Sequence, residues 1–240
     1  MRISYVLVGE GGQTRIRGKL VSSSRCTLLA GFSVNRRSLL LGALWGLPAL
    51  SLTPAQALNS CSQGGCLAQV AFPQFAATYE QQYQSEWCWA ASISMVFAYY
   101  GHPISQQRIV SEAYGAPVNM PAVSGFLIAQ ALNRVWIDDR GRQFKASLKA
   151  AFDAQSGVEA INSAVIVEAL ANGHPLVVGA RGHAMVTTAV YYISTPNGPG
   201  ILNVGVFDPW PGVGARNLLP DEMVPVPFGS LTFLALALIT

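Results

Sequence analysis

The stretch Gln82-Tyr83-Gln84-Ser85-Glu86-Trp87-Cys88-Trp89-Ala90-Ala91, continuing as Ser92-Ile93-Ser94-Met95-Val96-Phe97-Ala98-Tyr99-Tyr100-Gly101, decides how the chain folds. From Trp87 to Tyr100 it contains no glycine, proline or charge, which predicts a buried helix ended by Gly101 and His102-Pro103. Ser85 is the expected N-cap, which puts Cys88 in the first turn. Unpaired N–H groups at a helix start favour a thiolate over a thiol, so Cys88 is a candidate nucleophile. A single cysteine is also a common core residue, so its partners have to be sought elsewhere in the chain.

Downstream, Ser105 caps a second predicted helix, QQRIVSEAY, closed by Gly115, and Pro121 opens a third that runs to about Asn133. Asp138-Asp139-Arg140-Gly141 reads as a turn between short extended runs, and Ser163 to Asn172 as one more helix. Strands then dominate: PLVVGA from Pro175, HAMVTTAVYYI from His183, ILNVGVFD from Ile201 and a final TFLALALI. Thr195-Pro196-Asn197-Gly198-Pro199-Gly200 is a hairpin turn signal, so the second and third of these strands are expected to be antiparallel neighbours. A helical first half followed by an antiparallel second half predicts an α+β fold.

A thiolate nucleophile needs an imidazole to carry its proton and a polar group to hold that ring. Three histidines are present. His102 and His174 each follow a helix-ending glycine and precede a proline, and read as solvated turn residues. His183 instead opens an uncharged strand. Across the expected hairpin, Asp208 ends the partner strand in Phe207-Asp208-Pro209-Trp210, with Asn203 the alternative orienting group. Trp87, Trp89 and Trp210 flank these residues, as core packing or as walls of a subsite.

The segment from Gln82 to Ala91 resembles the nucleophile segment of papain-like cysteine peptidases, in particular their bacterial secreted and effector-type branch. A glutamine stands six residues before a cysteine flanked by tryptophan. The resemblance implies a two-lobed fold, a helical lobe bearing Cys88 against a mainly antiparallel β lobe bearing His183 and Asp208. It also implies an oxyanion hole made by the Gln82 amide and the Cys88 N–H, and hydrolysis of peptide bonds without metal or organic cofactor. Trp87 stands where papain has glycine, no long inhibitory propeptide separates Leu58 from Cys88, and residues 134–162 match no motif of the family. The same triad serves amidases and acyltransferases acting on cell-wall peptide or another amide, and a catalytically silent binding module would keep the fold alone.

Charge separates a leader from the rest. The 240 residues carry 11% charged and 51% apolar side chains and a net charge of +3, which excludes a disordered chain, a collagen, a coiled coil and a highly charged nucleic-acid binder. Within residues 1–57, seven arginines and lysines face the single Glu10, so residues 58–240 are left net acidic at −3. Asn35-Arg36-Arg37-Ser38 leads into the apolar run Ser38 to Leu52 and the small-residue pair Ala55 and Ala57. That order resembles a twin-arginine signal peptide cut before Leu58, the general secretory route and an uncleaved anchor being the alternatives. The long lead-in puts the true start of the signal nearer Val21 or Val34. The expected product is a periplasmic or secreted domain, residues 58–240, which meets export machinery through its leader, acts on a peptide or protein, and neither binds nucleic acid nor stays inserted in a membrane. Outside the cytoplasm disulfides persist, and Cys61 and Cys66 in CSQGGC are close enough to pair, with zinc the weaker alternative for want of a second ligand pair. Cys26 leaves with the leader, so Cys88 is the odd thiol.

Overall fold

The computed structural model describes residues 56–240, so the arginine pair, the apolar run and Ala55 lie outside the described residues. The order of elements is β1 (Leu58–Ser62), β2 (Gly65–Gln69), α1 (Phe72–Ala76), α2 (Cys88–Tyr99), α3 (Gln106–Tyr114), α4 (Gly125–Ala131), β3 (Val135–Ile137), β4 (Gln143–Asp153) and β5 (Val158–Glu159). Then come α5 (Ser163–Ala171), β6 (Leu176–Ala180), β7 (His183–Thr195), β8 (Gly198–Asp208), β9 (Gly214–Asn217), a 3₁₀ turn (Pro220–Met223) and β10 (Leu231–Ile239). Helices gather in the first half and an antiparallel sheet fills the second, the α+β arrangement expected of a papain-like cysteine peptidase.

The sheet runs β1-β2-β7-β6-β10-β4-β3, with β8 and β9 continuing from β7 on a second branch. Every pairing between its named strands is antiparallel. β6 is buried at all five positions, so both faces of the sheet are covered at its centre. The helix α2 packs on β6 and β7, and α5 on β1, β2, β7 and β8. Phe97 carries the packing of α2 on to β3 and β4, edge-on to Trp136 and Phe144 at centroid distances of 5.6 and 5.1 Å. Ten of the twelve residues of α2 are buried, which is why its sequence shows no polar stripe.

Several local expectations shift. The N-cap of α2 is Trp87, without any side-chain cap, because Ser85 is taken up by Glu86 and by the Asn119 amide. The helix α4 starts at Gly125 behind Ser124, since the backbone at Met120 and Pro121 is held by the Trp89 indole and the Tyr114 hydroxyl. A side chain on Gly125 would run into Phe233 and Asp153, so only glycine lets this helix sit against β10 and β4. The two turn histidines are half-buried and each has a side-chain partner. His102 lies against Phe144 at 4.4 Å and binds buried Asp138 at 3.0 Å, tying the end of α2 to the β3–β4 turn, and His174 binds the Tyr100 hydroxyl at 2.8 Å.

Cys61 and Cys66 are bonded across the β1–β2 hairpin, whose turn is Gln63-Gly64. Closing so short a loop removes about 2 kcal/mol of unfolded-chain freedom. Because β1 is exposed along its length and lies at the sheet margin, reduction is expected to cost about that much and leave the core intact. Urea unfolding with and without reductant measures it, and a collapse of the whole fold on reduction would contradict it.

Candidate active site

One long hairpin brings the histidine and the acid together. β7 and β8 turn at Pro196-Asn197, a tighter turn than the six-residue segment expected, and His183 and Asp208 stand at the open end. A bulge near Thr188 shifts the register by one residue and a second near Leu202 shifts it back, so Val186 pairs with Phe207. Asp208 therefore lies nearly opposite Met185, on the face shared with His183, because alternate residues of a strand point the same way. His183 Nε2 and Asp208 Oδ1 are 2.6 Å apart. The alternative orienting residue, Asn203, pairs with Tyr191, eight positions along β7 from His183 and roughly 26 Å away at strand rise. It cannot hold that ring.

Cys88 is the first residue of α2, half-buried and free of any disulfide. Cys88 and His183 line the same cleft, and with Nε2 of the ring engaged by Asp208 it is Nδ1 that remains for the thiol. With no side chain capping α2, the backbone N–H groups of its first turn have no side-chain acceptor. Trp87 and Trp89 are core residues, their indole N–H groups donating to Val118 and Met120 carbonyls. Trp210 is 50% exposed and stands edge-on to the His183 ring at 5.9 Å, a cleft wall.

Gln82 occupies a different posture from the one its position implies. Its Nε2 donates to the Gln84 and Ser85 carbonyls at 2.9 and 2.7 Å, and its Oε1 is buried without a partner. The amide thus shapes the loop that leads into Cys88. Its backbone N–H bonds the Pro209 carbonyl at 2.8 Å, joining that loop to the Asp208 loop. On the other side Gln106, fully buried, accepts from Tyr83 N–H and donates to the Gln81 carbonyl, so α3 braces the same loop.

Burial disfavours the charged imidazole of His183, but hydrogen bonds to Asp208 and Cys88 outweigh it and push the ring up to about 9. Burial would likewise raise Asp208, yet bonds from His183, Arg216 and the Trp210 N–H hold it at about 2. The site is therefore an imidazolium and a carboxylate at neutral pH. Because the folded His183 holds its proton more tightly than an unfolded histidine near 6.5, its contribution to stability is complete below about pH 6.5. It is lost as pH rises through about 9. Thermal unfolding followed from pH 6 to 10 should show that decline in the wild type and a shallower one in His183→Gln, and equal slopes would contradict the assignment.

A guanidinium that belongs to no sequence motif completes the cluster. Arg216 on β9 donates through Nε to Asp208 Oδ2 at 2.8 Å, and through Nη1 and Nη2 to Glu222 at 2.7 and 3.0 Å. These residues line one cleft of about 1110 Å³, together with Glu86, Val123, Trp210, Val213, Leu219 and Val226. Among the described residues no cluster of His, Cys, Asp and Glu has the grouping of a metal site.

A family model described as Peptidase_C39 like family matches residues 74–216, more than half of the chain and the span that holds Gln82, Cys88, His183, Asp208 and Arg216. The chain belongs to the Peptidase_C39 like family. Its fold is accordingly that of a cysteine peptidase. Among solved structures the Peptidase_C39 like chain is similar to UfSP from C. elegans, at 14% identity and a TM-score of 0.39, over 81% of this chain and 36% of that one. The chain thus spans about a third of that protein's length. None of the curated proteins matches it.

Proposed function

We propose that the protein is an exported cysteine peptidase in which Cys88, His183 and Asp208 form the catalytic triad. The observation that carries this reading is the His183–Asp208 pair, 2.6 Å apart, in one cleft with the Cys88 thiol at the start of α2. The Cys88 sulfur attacks the amide carbonyl carbon and a C–S bond forms. The Cys88 N–H stabilises the oxyanion, and the Gln82 amide joins it by releasing one of its two carbonyl partners. The C–N bond breaks as His183 gives its proton to the leaving amine. Water then attacks the thioester, His183 takes the water proton, and the C–S bond breaks to free the acid and the thiolate, which restores the thiolate and imidazolium pair. Asp208 keeps the ring oriented throughout.

The cleft supports peptides that are apolar or basic next to the scissile bond. Its two arginines are each committed to carboxylates, Arg181 to Asp221 and Arg216 to Asp208 and Glu222. Glu86, two residues before the nucleophile, has no basic side chain within salt-bridge distance among the described residues. An acidic substrate side chain would meet uncompensated negative charge there, and like charges close together repel. Export through the twin-arginine-like leader is part of the same reading, supported by the Cys61–Cys66 bond, which belongs to an oxidising compartment.

The test is digestion of a diverse peptide library, and separately of purified cell wall, by residues 58–240, with Cys88→Ala as control. Cleavage of the library that the control lacks, depleted in acidic residues at the cut, supports a peptidase. Release of fragments from cell wall alone supports the amidase reading, and equal activity of the control rejects both.

A further inference from the structure

The Asp208 carboxylate is held from two sides. One oxygen accepts from His183 and from the Trp210 N–H, and the other accepts from Arg216 Nε. Arg216 is itself fixed, both terminal nitrogens engaging Glu222 in a two-pronged ion pair while Nη2 also touches the Met185 sulfur. Glu222 is 3% exposed and accepts in addition from the Leu219 N–H, so it is anchored to the 3₁₀ turn. Register explains the alignment. Arg216 pairs with Val206 and so stands one step diagonally from Asp208, on the same face of three adjacent strands.

We propose that Arg216, anchored by Glu222, is the positioning residue of this site: it locks the rotation of the Asp208 carboxylate and offsets its charge, and so sets both the orientation and the protonation range of His183. The inference rests on the triad proposed above. A buried carboxylate with one free oxygen could swing away from Nε2, whereas one gripped at both oxygens cannot. A planar guanidinium suits the task, since it donates in fixed directions to two carboxylates at once. Other charged and titratable groups around His183 are Cys88 from α2, Arg181 in the turn before it, Glu86 across the cleft and Tyr79, whose hydroxyl lies within the field of Asp208. Arg181 is bound to Asp221, which leaves Arg216 as the cation that faces Asp208.

Arg216→Gln, Arg216→Lys and the double variant Arg216→Gln/Glu222→Gln test this. The double variant removes both buried charges together, so neither is stranded. His183 is titrated by NMR, and kcat is measured against pH on the library peptide cut fastest by the wild type. Without the guanidinium the negative field at the ring is stronger. The His183 titration and the basic limb of kcat should then move upward by about one unit, while kcat falls about 100-fold from misorientation. Arg216→Lys restores the charge without the fork, so the limb should return while kcat recovers only in part. A folded double variant with wild-type kcat and an unmoved titration overturns the proposal. So does an Arg216→Gln form whose kcat falls while its titration stays unmoved, which reports lost folded protein. Full activity in Cys88→Ala would instead sink the triad itself.

Discussion

Replacing Cys88 by alanine is expected to lower peptide hydrolysis by on the order of 10⁶-fold, the loss typical when the nucleophile of a hydrolytic triad is removed. His183→Ala should cost a similar amount, and the double variant no more than either alone. That non-additivity follows because Cys88 and His183 act on the same step: a thiol without its imidazole carries no proton across, and an imidazole without the thiol has nothing to activate. Stability should barely change in Cys88→Ala, since the thiol is half-buried at the rim of the cleft and its loss opens no cavity in the core. Steady-state rates on the cleaved library peptide, with thermal unfolding alongside, check both halves. Losses that multiply in the double variant would mean that the two residues act in separate steps.

Trp89→Ala carries the second large effect, on folding. Trp89 directly follows Cys88, is 1% exposed, meets Tyr114 edge-on at 6.2 Å and donates to the Met120 carbonyl at 3.2 Å. Removing the ring leaves a cavity and an unpaired carbonyl, at a cost of about 3–5 kcal/mol, a large part of the roughly 5–15 kcal/mol that holds a domain folded. Trp89→Phe keeps most of the volume and loses the hydrogen bond, so it should cost much less, about 1–2 kcal/mol. Pro121, Ala122, Val123 and Ser124 follow Met120 and line the cleft, so the alanine variant should also raise KM. Urea unfolding and Michaelis kinetics measure the two effects, and a Trp89→Ala variant as stable as the wild type would contradict this placement of the ring.

Where strong local signals met, the chain was legible. Ser105 and Gly115 bounded α3 correctly, and Gly115 adopts a φ of 77°, the left-handed turn that ends a helix. The turn signal around Asn197 aligned β7 with β8, and that alignment alone brings Asp208 to His183. The start of α2 differs from the sequence expectation because Ser85 is a good cap in isolation, while Trp87, held by Val118 across the fold, determines where the helix begins. His102 and His174 looked like solvated turn residues since their partners, Asp138 and Tyr100, come from packing. Arg216 and Glu222 were hidden for a related reason. Six residues apart, they form no motif, and only the pairing of β8 with β9 brings Arg216 to Asp208, with Glu222 reaching Arg216 from the 3₁₀ turn. Gln82 had the right position for an oxyanion donor, but sequence could not reveal that its amide is already occupied by the loop it belongs to.

The most direct test of the nucleophile is a trapped intermediate. Residues 58–240 are mixed with a reactive peptide ester, quenched in acid during turnover, and weighed intact before peptide mapping. One acyl group per molecule, attached at Cys88 and absent from Cys88→Ala, is the expected result. Continued hydrolysis with no adduct, or an adduct at any other residue, would contradict it.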